Sequence, residues 1–301
     1  MVTYFDGKWV DDGNAVVNVR SRALNYGMGC FGGVRGYLAD DGKEVYVFRL
    51  RAHVQRLSDS AKILYLRMPG VDETSQILLE LLRRNEVHHD VYLRPLVLHN
   101  SEAIAPVLDE ASSCFTAFCM PLKRYIDKDV INVCVSSWRR VRDNAIPSRV
   151  KPTGAYLNSA LARREAKDNG FDEAIFLTED GKVSEGSAEH IFIVRDGMLL
   201  SPPSTEDNLD GITRRSIIDM ATEDLGLAFK ERTLGRSELY VADEMFLCGT
   251  GAQITPVASV DRRQVGDGGV GPVTARLKQY FDDVVHGRVE ARKKWLTPVW
   301  G

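Results

Sequence analysis

Short runs of β-branched and aromatic residues alternate along this chain with aspartate–glycine pairs. Asp6-Gly7, Asp12-Gly13, Asp41-Gly42, Asp180-Gly181 and Asp196-Gly197 each stand between such runs, which is the signal for a tight β-hairpin. Val34–Leu38 and Val45–Phe48 flank the third pair, and Ala174–Leu177, Ile191–Val194 and Met198–Leu200 surround the last two. Elsewhere the apolar positions switch to a helical period. Val54, Leu57, Ala61 and Leu64 predict a helix beginning near Arg51, and Ile77, Leu78, Leu81 and Leu82 predict another. Leu157–Asp168 is helical and stopped by Asn169-Gly170, and Ile212–Leu225 stops in the same way at Gly226. Val273, Leu277, Phe281 and Val284 mark a last helix, opened by Pro272.

Regular βαβ alternation is absent, so antiparallel or mixed sheets with attached helices are expected rather than a doubly wound parallel sheet. The polar stretch 123–130 separates two strand-rich halves. The resulting expectation is a two-domain mixed α/β (α+β) protein: a small α+β domain over 1–122, a linker over 123–130, and a large domain over 131–301. With 301 residues, 44% of them apolar and 27% charged, the chain can bury a full core without disulfides or metals. A net charge of −3 argues against a nucleic-acid partner. The five cysteines are scattered and form no CxxC pair, which fits buried free thiols in a reducing cytoplasm. The histidines have no metal-ligand spacing. The opening MVTYFDGKWV reads as no signal peptide, and no apolar run approaches ~20 residues, so no membrane span is expected.

Candidate chemistry centres on Lys151, between a strand-like run and a predicted helix. Alone it reads as a solvated lysine or as an amine able to form a Schiff base. Glu185 follows the Asp180-Gly181 hairpin and reads as a loop glutamate or as the carboxylate that pairs with a pyridinium nitrogen. Asp210-Gly211-Ile212-Thr213 opens a helix and offers free N–H groups to an anion. Gly249-Thr250-Gly251 is either a plain turn or an anion-binding nest, and Arg51 would grip the same anion. Phe31, Gly33, Arg35 and Tyr37 share one strand face at alternate positions, as do Tyr92 and Arg94. Such a face suits either solvent or a pocket taking both a carboxylate and an apolar side chain. Pro95 within that second strand argues for an edge or a bulge. Gly266–Gly271 matches GxGxxG, but no second strand follows it, so it reads as a glycine-rich turn before a helix.

Taken together these residues resemble the branched-chain amino acid aminotransferases of the fold-type-IV pyridoxal-5'-phosphate (PLP) class. The resemblance runs from Leu24-Asn-Tyr26-Gly and Phe31-Gly-Gly33-Val-Arg35-Gly-Tyr37, through Phe48-Arg-Leu-Arg51-Ala-His53-Val-Gln-Arg56-Leu, Tyr92-Leu-Arg94-Pro and Ser136-Ser-Trp-Arg-Arg140. It continues through Lys151–Tyr156, Ser184-Glu185-Gly and Gly211-Ile-Thr213-Arg to Gly249-Thr250-Gly-Ala-Gln-Ile-Thr-Pro256. It implies that Lys151 is the Schiff-base lysine, that Glu185 pairs with the pyridine nitrogen and that Tyr156 bonds the ring hydroxyl. Leu209 would pack on the ring, and Arg51, Gly211, Ile212, Thr213 and Thr250 would hold the phosphate. Tyr92, Thr250, Gly251 and Ala252 would meet the substrate carboxylate, and Arg94 and Tyr26 the distal carboxylate of glutamate. Phe31, Gly33, Arg35, Tyr37 and Tyr125 would line the side-chain pocket.

The resemblance implies a large domain with a barrel-like sheet, PLP between the domains, and transamination between branched-chain L-amino acids and 2-oxoglutarate by a homodimer or higher homo-oligomer. Two departures bear on substrate range. The segment after Arg94 reads His99-Asn-Ser-Glu-Ala-Ile-Ala-Pro-Val107, without the glycine-rich loop usual there, and His190 stands where a smaller polar residue is common. Side activity on (R)-amines is one expectation from these changes. An (R)-amine or D-amino acid aminotransferase on the same scaffold is the alternative.

Overall fold

In the computed structural model, which describes residues 1–122, 126 and 128–301, Asp6 (φ 47°) and Gly7 (φ 83°) are both left-handed, as are Asp196 (φ 49°) and Gly197 (φ 73°). That is the backbone of the two-residue hairpin that Asp-Gly favours. Asp12-Gly13 instead forms a 3-10 turn over Asp12–Asn14. There the Asp12 carboxylate accepts the Thr3 hydroxyl at 2.9 Å, so no hairpin follows.

In chain order the strands and helices are β1 (Val2–Phe5), β2 (Lys8–Asp11), α1 (Arg22–Tyr26), β3 (Gly29–Phe31), β4 (Val34–Leu38), β5 (Val45–Phe48), α2 (Leu50–Ile63) and α3 (Val71–Arg84). There follow β6 (Val91–His99), β7 (Ser113–Pro121), β8 (Ile131–Arg139), α4 (Tyr156–Asp168), β9 (Glu173–Leu177), β10 (Val183–Gly186), β11 (His190–Arg195) and β12 (Met198–Ser201). The chain ends with α5 (Ile212–Asp219), β13 (Phe229–Glu231), β14 (Glu244–Gly249), β15 (Gln253–Val260), β16 (Arg263–Gln264), α6 (Pro272–Val285) and β17 (Leu296–Pro298).

Two compact units result. Unit 1 holds Met1–Lys123, Val150–Ala155 and Asp283–Gly301, and unit 2 holds Arg124–Arg149 and Tyr156–Asp282. The expected single crossing, with everything from 131 onward in one domain, therefore differs from the observed division. Backbone pairing explains the difference. β17 adds to β5 through Leu296↔Phe48 and Pro298↔Tyr46, which carries the chain's last segment into unit 1.

Unit 1 has an antiparallel sheet in the order β17-β5-β4-β6-β7-β1-β2, with β3 also on β6. Strand β6 lies inside this sheet, so the edge or bulge expected at Pro95 is not found. Pro95 has no N–H to donate, and the interruption appears across from it instead, between β3 and β4. The register is otherwise continuous: Phe31 opposes Leu96, and Val34 opposes Leu93. Burial alternates strictly along β6. Val91, Leu93 and Val97 face a core completed by Leu50, Val54, Leu57 and Ala61 of α2 and by Leu78, Leu81 and Leu82 of α3. Each fully buried leucine contributes about 1.5–3 kcal/mol.

Unit 2 has a mixed sheet in the order β10-β9-β8-β15-β14-β11-β12-β13, a curled half-barrel, with parallel pairings β8–β9, β8–β15 and β12–β13. Its interior is filled by Ile131, Val133, Ile175, Ile191, Ile193, Leu247 and their neighbours. The glycine-rich stretch leads into α6, whose first N–H groups are already engaged. The buried Glu244 carboxylate already accepts Val273 N at 3.0 Å and Thr274 N at 2.7 Å, capping that helix from within.

Candidate active site

In unit 1 the segment carrying Lys151 is zipped onto the chain around β3. Lys151 O accepts Phe31 N at 3.0 Å, Cys30 bridges Pro152, and Thr153 N donates to Gly29 O at 2.9 Å. The Thr153 hydroxyl donates to Gly27 O at 2.6 Å. Gly27 is left-handed (φ +65°), and a Cβ there would lie 2.7 Å from Gly154 Cα, so these two backbones meet only as glycines. The zipper fixes the root of Lys151 and leaves its amine 5.2 Å from the centre of the Phe31 ring.

Around that ring the predicted strand face assembles. The Arg94 guanidinium lies 4.5 Å over Phe31 and donates to the Tyr92 hydroxyl at 2.9 Å. A side chain at residue 33 would collide with that hydroxyl, since a Cβ on Gly33 would be 2.4 Å from it. An amine, an aromatic wall, a guanidinium and a phenol thus converge on one face of the sheet. Arg35 and Tyr37 belong to the same face but are almost wholly buried, at 2% and 1% exposure. Arg35 donates to Leu122 O, pairs with Asp90 at 3.6 Å and stacks over Tyr37. Tyr26 is exposed, and its hydroxyl donates to Ile104 O. The loop after Arg94 is held by the buried Arg22, which donates to Ala103 O and Val107 O and pairs with Asp109. Tyr125 lies outside the described residues.

Helix α2 presents a second set of groups toward the Lys151 segment. His53 is buried, and burial together with the positive charges of Arg56, Arg49 and Lys151 pushes its pKa well below the usual value. Ser60 accepts Lys151 N at 3.4 Å. His53, Arg56 and Ser60 recur at helical spacing on one face. Arg51 does not belong to it. Its side chain is 72% exposed and pairs with Asp72 on α3. The exposed stripe Arg51, Gln55, Asp59 and Lys62 was the available sequence signal.

In unit 2, Glu185 at the end of β10 is buried, with Arg140 Nε 2.7 Å from Oε1 and Leu209 N donating to Oε2 at 3.2 Å. The same loop continues through Asp210, paired with Arg215, to Gly211, which leads into α5. Ile212 and Thr213 are buried at its first turn, and among the described residues no N-cap side chain closes this end. Tyr156, partly buried, is the first residue of α4. Thr250 and Gly251 form the partly exposed turn between β14 and β15, and Ala252 beneath them accepts the Thr255 hydroxyl. Arg140 received no role from sequence reasoning, since only the fold brings β8 to β10.

Residues 29–260, which contain both sets, match the class IV amino-transferases. The chain belongs to that family. Among its relatives, the branched-chain-amino-acid aminotransferase of Salmonella typhimurium is 42% identical, over 98% of this chain and 96% of its own length. A crystal structure of a branched-chain aminotransferase from Thermoproteus uzoniensis with norvaline superposes with a TM-score of 0.94 at 41% identity, covering 100% of this chain and 99% of that one. The T.th. branched-chain amino acid aminotransferase complexed with N-(5'-phosphopyridoxyl)-L-glutamate gives a TM-score of 0.92 at 36% identity, covering 99% and 98%. This class IV aminotransferase is thus a mixed α/β, fold-type-IV chain over essentially its whole length.

Proposed function

We propose that this class IV aminotransferase uses pyridoxal 5'-phosphate to move the amino group of L-leucine, L-isoleucine or L-valine to 2-oxoglutarate, producing the branched 2-oxo acid and L-glutamate. The observation that carries this reading is the face around Lys151. There an apolar ring and a guanidinium–phenol pair stand side by side, within reach of one amine. Such a face receives an apolar side chain in one half-reaction and a second carboxylate in the other. The relatives solved with norvaline and with a phosphopyridoxyl–glutamate adduct support both halves.

The groups of unit 2 fit the cofactor. A buried carboxylate suits a ring nitrogen, and a helix N-terminus without a side-chain cap suits a phosphate. When bound, PLP supplies the electron sink that acidifies the substrate Cα–H. Lys151 would hold the cofactor through its amine and, once that nitrogen is freed by the incoming substrate amine, would take the Cα proton on Nζ and return it. Glu185 would keep a proton at the ring nitrogen, with Arg140 and Leu209 N fixing its carboxylate. The backbone N–H groups at Ile212 and Thr213, with the hydroxyls of Thr213 and Thr250, bind the phosphate. Arg56 contributes the cation from α2 in place of Arg51. Tyr156 would bind the ring hydroxyl oxygen, and Leu209 would pack against the ring. Arg94, Tyr92 and the turn at Thr250–Ala252 orient substrate carboxylates, with Tyr26 at the rim. Arg35 and Tyr37 brace the wall from behind.

The working form is a homo-oligomer. Exposed Leu24, Ile104 and Val107 in the single chain support a partner surface there. Five unpaired buried cysteines suit a cytoplasmic setting.

The test is to load the protein with PLP and mix it with L-leucine, D-alanine and (R)-1-phenylethylamine separately, without oxo acid, following the visible absorbance. Fast bleaching by L-leucine is expected. Bleaching mainly by D-alanine or by the amine would overturn the substrate assignment, and absence of a visible band would overturn the cofactor assignment.

A further inference from the structure

Strand β10 carries Glu185 and the loop 209–211 leads into α5, so the two are brought together only by folding. One link between them is the hydrogen bond from Leu209 N to Glu185 Oε2. A second is made by a side chain to which the reaction assigns nothing. His190 begins β11, where pairing with Cys248 of β14 fixes its backbone. Its ring is buried. One edge faces the carboxylate, with Nδ1 3.7 Å from Glu185 Oε2. The other edge occupies the space a side chain at residue 211 would take. A Cβ on Gly211 would lie 2.1 Å from His190 Nε2 and 2.4 Å from Cδ2. The backbone at Gly211 (φ −80°, ψ 130°) is open to any residue, so it is the imidazole, not the chain path, that requires glycine there.

We infer that His190 is a positioning residue that sets the spacing between Glu185 and the first turn of α5. This rests on the cofactor reading above, in which those two groups hold opposite ends of one molecule. A flat, rigid ring wedged between a carboxylate and a helix entry leaves neither free to shift. A shorter side chain would leave a gap, and displacements well under an ångström at such supports degrade binding geometry. The N–H groups at Ile212 and Thr213 would then lose their register with the ring-nitrogen anchor. The same wedge makes residues 190 and 211 energetically coupled, because each sets the room available to the other.

The test uses full-length protein, His190→Asn, Gly211→Ala and the double variant. Each is assayed for PLP dissociation constant and visible absorbance maximum, with the unfolding midpoint of each PLP-free form as a check on the fold. Asparagine keeps a polar atom near the Nδ1 position and withdraws the reach to Gly211. His190→Asn is expected to weaken PLP binding about tenfold and shift the visible band, with the PLP-free midpoint little changed. Gly211→Ala is expected to weaken PLP at least as much in the parent but to add little in the His190→Asn background. Parent-like affinity and spectrum in His190→Asn, or an equal penalty for Gly211→Ala in both backgrounds, would overturn the inference. Should His190→Asn fail to fold, unaltered PLP binding by Gly211→Ala alone would overturn it. A parent protein with no visible band would instead bring down the cofactor reading itself.

Discussion

In the proposed reaction Lys151 would combine two duties on one nitrogen, holding the cofactor and carrying the substrate proton, which no neighbouring residue could take over together. Lys151→Ala should abolish the visible band and lower turnover by at least about 10²–10⁴-fold. A variant that kept the band would show another amine at work. The cation for the phosphate is a choice between two residues, because α2 offers Arg51 and Arg56 within two turns. The helical period separates them. Arg56 shares the face of His53 and Ser60, while Arg51 lies in solvent beside Asp72. Titration of PLP into cofactor-free protein should show about tenfold weaker binding for Arg56→Gln and little change for Arg51→Gln. The opposite ranking would return the role to Arg51. At this scale the chemistry-bearing types were legible in the sequence. Lys151, Glu185, Tyr92 and Arg94 stand in short motifs whose neighbours act on them directly, and each occupies a site in which its predicted role is chemically sensible. The choice between two arginines was legible only through the polar stripe Arg51, Gln55, Asp59 and Lys62, which marks the face of α2 that the rest of unit 1 leaves uncovered.

At the scale of elements, period and punctuation predicted most hairpins and the helices other than α1, whose five residues are too few to show a period. What they could not contain was the identity of distant partners. The period-2 pattern of β6 fixed its faces, yet Pro95 read as an edge signal, because accommodation of its missing N–H is a property of the neighbouring strand. The start of α6 was likewise legible from Pro272, whereas its cap was not. Glu244 lies on β14, and Thr274 meets it only after the sheet forms. Glu244→Ala would leave the N–H groups of Val273 and Thr274 and the Thr274 hydroxyl without that acceptor in a buried setting. The expected cost is about 2 kcal/mol by urea unfolding, with PLP affinity unchanged. A loss below a few tenths would mean that another group caps the helix.

At the scale of the whole molecule, the returns of 150–155 and 283–301 to unit 1 were not visible in the sequence, since they depend on pairing with β3 and β5 far upstream. Folding has a further, global consequence at His53 and His99. Burial lowers the pKa of both below the ordinary 6.5, with the charges of Arg56, Arg49 and Lys151 adding at His53. At His99 the nearby Asp109 opposes the shift, while the neutral ring accepts Asp109 N at 3.1 Å through Nε2. Between 6.5 and the lowered folded values, the unfolded chain binds more protons than the folded one, so stability falls as pH drops through that window. The lowered carboxylates Asp143, Glu165 and Asp261 act separately and further down: their contribution is present above about 4 and is lost as pH falls through their depressed folded values. Thermal unfolding at fixed PLP concentration should therefore show a midpoint already declining as pH falls below about 6.5, before the carboxylates contribute. His53→Gln, which cannot gain a charge, should lose part of that slope whatever it does to the midpoint at about pH 7.5. A slope identical to the parent's would mean that His53 takes up no additional proton on unfolding, and that burial and the neighbouring cations do not hold the imidazole neutral.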